Sequence, residues 1–239
     1  MNNPIKKANY IAAPETYGNA CPIFRKSFSG EKPVSSAILH VSALGLYEAE
    51  INGERIGDFR LAPGWTSYKT RLRWQSYDIT KYIKEDNLLD ICVGNGWYAG
   101  RIGWGKKWDT YGRWGKKRAL IAALELNYDD GSAETILTDE SWNVAESGIL
   151  SSEIYDGESF DSNIIPTEWK PAELYEHSKD ILIPQEGEII KEVCEIKPVK
   201  LFKTPNGETL IDFGQEFSGY VRFKVCGKAG DVCDIDHAE

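Results

Sequence analysis

The stretch AILHVSALGLYEAEINGERIGDF, residues 37–59, sets the reading of the chain. Ala37 to Ser42 continues through Leu44 to Ile51, and apolar and polar residues alternate in it with the period of two of a half-buried strand. The run reaches Asn52-Gly53. Asn-Gly between alternating runs is the strongest short-range hairpin signal, because both turn residues accept positive φ. Glu54 to Phe59 is then the return strand. His40, with apolar neighbours, reads as a core or strand-face histidine rather than a ligand.

Working outward, the same pattern recurs. Pro22 to Phe28 alternates apolar and basic residues, as a strand with an exposed face should. Leu61 to Trp65 is a connecting loop, Leu72 to Tyr77 a strand, and Asp78 to Thr80 a turn. Leu88 to Val93 is nearly all apolar and suits a central buried strand. Ala119 to Tyr128 fits helix or strand by period. The turn residues Asp129 to Ser132 and the run Glu134 to Thr138 behind it make it one arm of a hairpin. Thr138 to Val144 gives a turn and strand with Trp142 in the core, and Ile154 to Phe160 a carboxylate-rich loop. Only Trp169 to His177 looks helical, with Pro171 near its start.

These elements predict an all-β fold, an antiparallel β-sandwich of jelly-roll or galactose-binding-like type over residues 1–165. The Pro-, Glu- and Lys-rich stretch 166–190 reads as a linker. From Cys194 a second β-pattern begins, with a hairpin of Val221–Val225 and Val232–Ile235. Residues 191–239 are therefore expected as a second, partial β-domain, too small to bury a core alone.

Composition narrows the partners. The 239 residues are 41% hydrophobic and 27% charged, which is ordinary for a globular protein. A net charge of −9 argues against nucleic acid, despite the basic run from Lys106 to Arg118. No apolar run is long enough for a membrane span, and the amino terminus lacks a signal-peptide pattern, so a cytoplasmic chain is expected. The five cysteines, Cys21, Cys92, Cys194, Cys226 and Cys233, are scattered without a C-x-x-C, and free thiols are expected.

The candidate functional stretch is Val93 to Trp114, VGNGWYAGRIGWGKKWDTYGRW. Glycine at that density is costly in a helix, at about 1 kcal/mol per residue, so a strand end and a long shaped loop are expected. Two readings stand side by side. In one, the aromatics cap the sandwich core. In the other, Asn95, Trp97, Tyr98, Arg101 and Trp104 form a carbohydrate-facing ledge, since a sugar's C–H face packs on flat rings while planar polar groups bond its hydroxyls. Asp156, Glu158 and Asp161 lie close in sequence, and their oxygens could hold Ca²⁺ or act on a glycosidic bond. Their spacing fits no EF-hand loop, and solvated turn carboxylates are commoner. No P-loop, nucleophile elbow or H-E-x-x-H occurs.

Several phrases, in order, resemble the amino-terminal part of bacterial α-L-rhamnosidases. They are Gly45-Leu-Tyr-Glu48 with Ile51-Asn-Gly53, Leu61-Ala-Pro-Gly-Trp-Thr66 with Tyr68, and Tyr77-Asp-Ile-Thr80. Gly94-Asn-Gly-Trp-Tyr-Ala-Gly100, Asp139-Glu-Ser-Trp142 and Tyr155-Asp-Gly-Glu158 follow. Phe213-Gly-Gln215, Gly219-Tyr-Val-Arg222 and His237-Ala-Glu239 resemble the opening of the next β-domain of those enzymes. The resemblance implies a non-catalytic β-sandwich module that meets L-rhamnose-containing carbohydrate. It also implies acid and base carboxylates on a helical toroid further along, in a carboxyl-terminal catalytic domain that this chain does not contain. No residue here is therefore assigned as catalytic. Some related modules bind rhamnose through calcium, and Asn95 stands where relatives often carry Asp.

Overall fold

The computed structural model describes residues 3–14, 18–30, 32–103 and 111–237. Two compact units divide the chain, residues 1–191 and 192–239. In the first, the strands run in order β1 (Tyr10–Ala12), β2 (Pro22–Ser29), β3 (Val34–Leu44), β4 (Leu46–Ile51), β5 (Glu54–Arg55), β6 (Leu72–Asp78) and β7 (Asp86–Gly94). After a one-turn helix α1 (Gly96–Ala99) come β8 (Ala119–Tyr128), β9 (Ala133–Leu137), β10 (Asn143–Glu146), β11 (Ile149–Glu153) and β12 (Gly157–Phe160). Three short strands close the unit, β13 (Lys170–Pro171), β14 (Glu173–Tyr175) and β15 (Leu182–Pro184).

A seven-stranded sheet in the order β14-β1-β8-β3-β6-β15, with β9 also on β8, faces a six-stranded sheet ordered β13-β10-β2-β7-β4-β5. All named pairs are antiparallel except β15 on β6. Leu39, Val41, Leu120, Leu124 and Leu126 of one sheet pack against Phe24, Ala49, Ile51, Leu89, Ile91 and Val93 of the other. Trp142 is 1% exposed, and its indole N–H donates to the Leu137 carbonyl at 3.0 Å. The Asn52-Gly53 turn forms as expected, with φ of 54° and 80°. His40 is 8% exposed and held between Ser76 and Glu125 on the sheet face.

β8 explains its ambiguous sequence. Leu120, Ala122, Leu124 and Leu126 point into the sandwich, while Ala119, Ile121 and Ala123 join a second buried cluster with Ile5, Tyr10, Leu44, Leu72, Tyr68 and Tyr98. The strand is apolar on both sides because part of its outer face is covered too. The half-buried Trp97 and Trp114 lie against that second cluster. The capping reading of the aromatics thus holds for part of the loop.

Four local expectations are corrected. Trp169 to His177 is not helical: it supplies β13 and β14, which pair with β10 and β1. Pro171 sits on an edge strand, where no ladder N–H is needed from it. Stretch 166–190 is accordingly not free chain, because β15 also adds to the sheet. The return strand after Asn52-Gly53 is only two residues long, since Ile56 and Phe59 turn into the core. Residues 154–160 are not a loop throughout, because β12 pairs back on β11 around a turn at 154–156.

Among its described residues the second unit holds one hairpin, β16 (Lys200–Lys203) with β17 (Thr209–Asp212). The expected hairpin of Val221–Val225 and Val232–Ile235 is not formed. Residues 221–229 and 232–237 carry no strand, and Val225 and Val232 are 61% and 81% exposed. All five cysteines are free thiols. Among the described residues, no helix is long and apolar enough to cross a membrane.

Candidate functional site

β7 ends at Gly94, and the chain turns through Asn95 into α1. One turn of helix sends consecutive side chains in different directions, and this separates the predicted residues. Tyr98 points inward and is 2% exposed, its ring edge-on to Tyr68 at 5.4 Å. Burial, then Tyr175, pushes its hydroxyl up to about 12, so it stays protonated at neutral pH. Gly115 passes directly beside that hydroxyl, and a side chain there would collide with it. Tyr98 is a core residue and not part of a sugar ledge.

Trp97 turns the other way and stacks on Trp65, ring centroids 5.8 Å apart and planes within 9°. Trp65 is 52% exposed, so one broad indole face is open to solvent. The pair forms because the loop holding Trp65 is anchored by Tyr68, whose hydroxyl donates to the Gly64 carbonyl at 3.3 Å, and by the buried Ala62. Trp65 lies 32 positions from Trp97 and was not among the sequence candidates. Its signal was present, a tryptophan in a Pro-Gly turn that the core does not require.

Asn95 and Arg101 face the β11–β12 hairpin. The Asn95 amide donates to the Glu153 carboxylate at 2.6 Å, and the Arg101 backbone N–H donates to its second oxygen at 3.2 Å. The Arg101 guanidinium makes a two-pronged pair with Asp156 at 2.9 and 2.5 Å, and the Tyr111 hydroxyl donates to Asp156 at 2.6 Å. These bonds from Arg101 and Tyr111 hold the Asp156 carboxyl at about 2. Glu153 and Tyr111 complete this polar clamp, and neither was a sequence candidate. Trp104 lies outside the described residues.

The three carboxylates considered for metal or catalysis are not gathered. Asp156 is consumed by the clamp, Glu158 lies on β12 opposite Ser152, and Asp161 accepts from the Asn163 backbone and side chain. Among the described residues, no group of three His, Cys, Asp or Glu side chains is placed to share a metal ion. The placement therefore does not meet the expectation of a shared calcium site there.

The model of the α-L-rhamnosidase N-terminal domain matches residues 32–199, and that of the bacterial α-L-rhamnosidase concanavalin-like domain matches residues 202–239. The chain belongs to the α-L-rhamnosidases. It is 35% identical over 224 residues to an α-L-rhamnosidase of Streptomyces avermitilis, covering 87% of this chain and 21% of that protein. An Aspergillus terreus α-L-rhamnosidase crystal structure superposes with a TM-score of 0.78 at 34% identity, over 90% of this chain and 26% of its own. The structure of the Streptomyces avermitilis α-L-rhamnosidase complexed with L-rhamnose matches with a TM-score of 0.72 at 32% identity, over 82% of this chain and 20% of its own. The chain thus spans about a fifth to a quarter of the length of these relatives. The N-terminal-domain match takes in β3 to β15 of the sandwich, and the Trp65–Trp97 stack and the Arg101–Asp156 clamp both lie within it.

Proposed function

We propose that this chain is the β-sandwich portion of an α-L-rhamnosidase, which removes terminal α-L-rhamnose from glycans or glycosides, and that it holds the rhamnose-bearing chain while bond cleavage occurs elsewhere in the protein. The open Trp65 face, backed by Trp97, carries the reading. It offers a rigid apolar plane of the kind a sugar's C–H face packs against. Asp156 itself is unsuited to act as the acid in such a cleavage. A general acid needs a carboxyl that stays protonated near neutral pH, and Asp156 is held ionised at about 2.

The test is an NMR titration of the indole N–H resonances with L-rhamnose at millimolar concentration. Signals of Trp65 and Trp97 should shift, and Trp65→Ala should weaken the response about tenfold, the equivalent of ~1.4 kcal/mol. Silence of both signals would defeat sugar binding. An aryl rhamnoside should not be turned over.

A second reading rests on the same exposed plane. Trp65 at 52% and Leu61 at 41% exposure would equally suit packing against a catalytic domain. In that case sedimentation should show self-association of the chain, relieved by Trp65→Ala, with no response to rhamnose.

A further inference from the structure

At the β14 edge of the seven-stranded sheet, Asn9, Tyr10 and residues 174–179 line an open hollow of about 620 Å³. Tyr10, Tyr175 and His177 bring aromatic rings to its lining. Tyr10 meets His177 edge-on at 5.3 Å, and Tyr175 lies nearly parallel to His177, with centroids 6.4 Å apart and planes 22° from each other. Tyr10 is 1% exposed, and its hydroxyl has no hydrogen-bond partner among the described residues. An unpaired buried hydroxyl destabilises a fold, and phenylalanine would fill the same space without that cost. The rim is polar but balanced: the Lys179 ammonium donates to the Asn9 side-chain oxygen at 3.3 Å, and Glu176 stands exposed nearby. One cation and one carboxylate give no strong preference for an ion. Flat rings in the lining, polar groups of balanced charge and a buried hydroxyl without a partner among the described residues together describe a site for a ring that is apolar on one face and hydroxylated around its margin.

We propose that this hollow binds a neutral pyranose, its C–H face against His177 and Tyr175, one hydroxyl reaching Tyr10 and others meeting Asn9 and Lys179. The half-buried His177 is the side chain that must shift to admit that hydroxyl. The site extends the carbohydrate reading of the module without using Trp65 or Trp97. Tyr98 links the two places, since its ring lies 6.5 Å from His177 and it follows Trp97 in the chain. A module with both sites would grip more than one ring of a glycan.

The whole chain, labelled for histidine and tyrosine ring NMR, is titrated with L-rhamnose, D-glucose and D-galactose at millimolar concentrations. The His177 and Tyr10 ring signals should move with at least one of the three, equally in the native chain and in Trp65→Ala. Tyr10→Phe should weaken that response about tenfold while leaving the urea midpoint unchanged or higher, so that lost binding is not mistaken for lost folding. His177→Ala should abolish the Tyr10 shift. Unmoved His177 and Tyr10 signals with all three sugars overturn the proposal, as does native affinity in Tyr10→Phe. Shifts at Trp97 alone sink the hollow and leave the ledge; shifts at His177 alone sink the ledge and leave the hollow.

Discussion

Asn52 does more than bend the chain. Its amide donates to the Tyr82 carbonyl at 2.9 Å and to the Asn87 side chain at 3.1 Å, and its oxygen accepts from the Leu88 N–H at 2.9 Å. The left-handed turn and the tie between neighbouring strands therefore rest on one side chain. Asn52→Ala forces a Cβ-bearing residue without those bonds into φ of 54° and should cost about 2–3 kcal/mol, read as a lower urea midpoint. Asn52→Gly keeps the backbone freedom and loses only the bonds, so its loss should be smaller. Trp142 is the other single-residue lever. Replacing it with alanine removes the largest fully buried side chain and should cost about 3–5 kcal/mol by the same measurement.

The β11–β12 hairpin is the element that holds the aromatic loop in place, and its grip depends on pH. Asp156 titrates at about 2 in the folded chain, against about 3.9 for a free aspartate. A lowered folded pKa means that the clamp's contribution is fully present above about pH 4 and fades as pH falls through about 2. Acidification between those values should therefore loosen the Arg101 region, seen as shifts of the Tyr111 and Arg101 side-chain resonances. Asp156→Asn should remove this pH dependence and leave the loop loosened already at neutral pH. Sequence placed this hairpin poorly. The turn residues around Gly157 were visible, but strand pairing between Ser151–Glu153 and Gly157–Ser159 has no local signature in a run so rich in serine and carboxylate. The segment at 169–177 failed for a related reason. Its helical spacing is real, yet the edges of two sheets offered its backbone better partners than a helix with little to bury.

At the scale of the whole molecule, the two units differ in how much they bury. β3 and β8 share ten paired positions from Val34 to Leu44, in a sheet covered on one face and over part of the other, whereas β16 and β17 are exposed at every position. Hydrogen exchange on the intact chain should separate them: amides of residues 37–44 and 119–126 should resist exchange longest, and those of 200–212 should exchange early. Equal protection in both segments would contradict the difference in burial.

The amino-acid sequence by itself determined the class of fold, the Asn52-Gly53 hairpin, the core place of Trp142 and the resemblance to the α-L-rhamnosidases, because each rests on a local period, a turn chemistry or an ordered set of phrases. Only the tertiary structure decided which rings are surface. Trp97 and Tyr98 are neighbours with nearly the same sequence signal, and one turn of helix sends one to the open Trp65 stack and buries the other against Tyr68. Direction of that kind depends on what approaches from distant parts of the chain, and neither composition nor periodicity carries it.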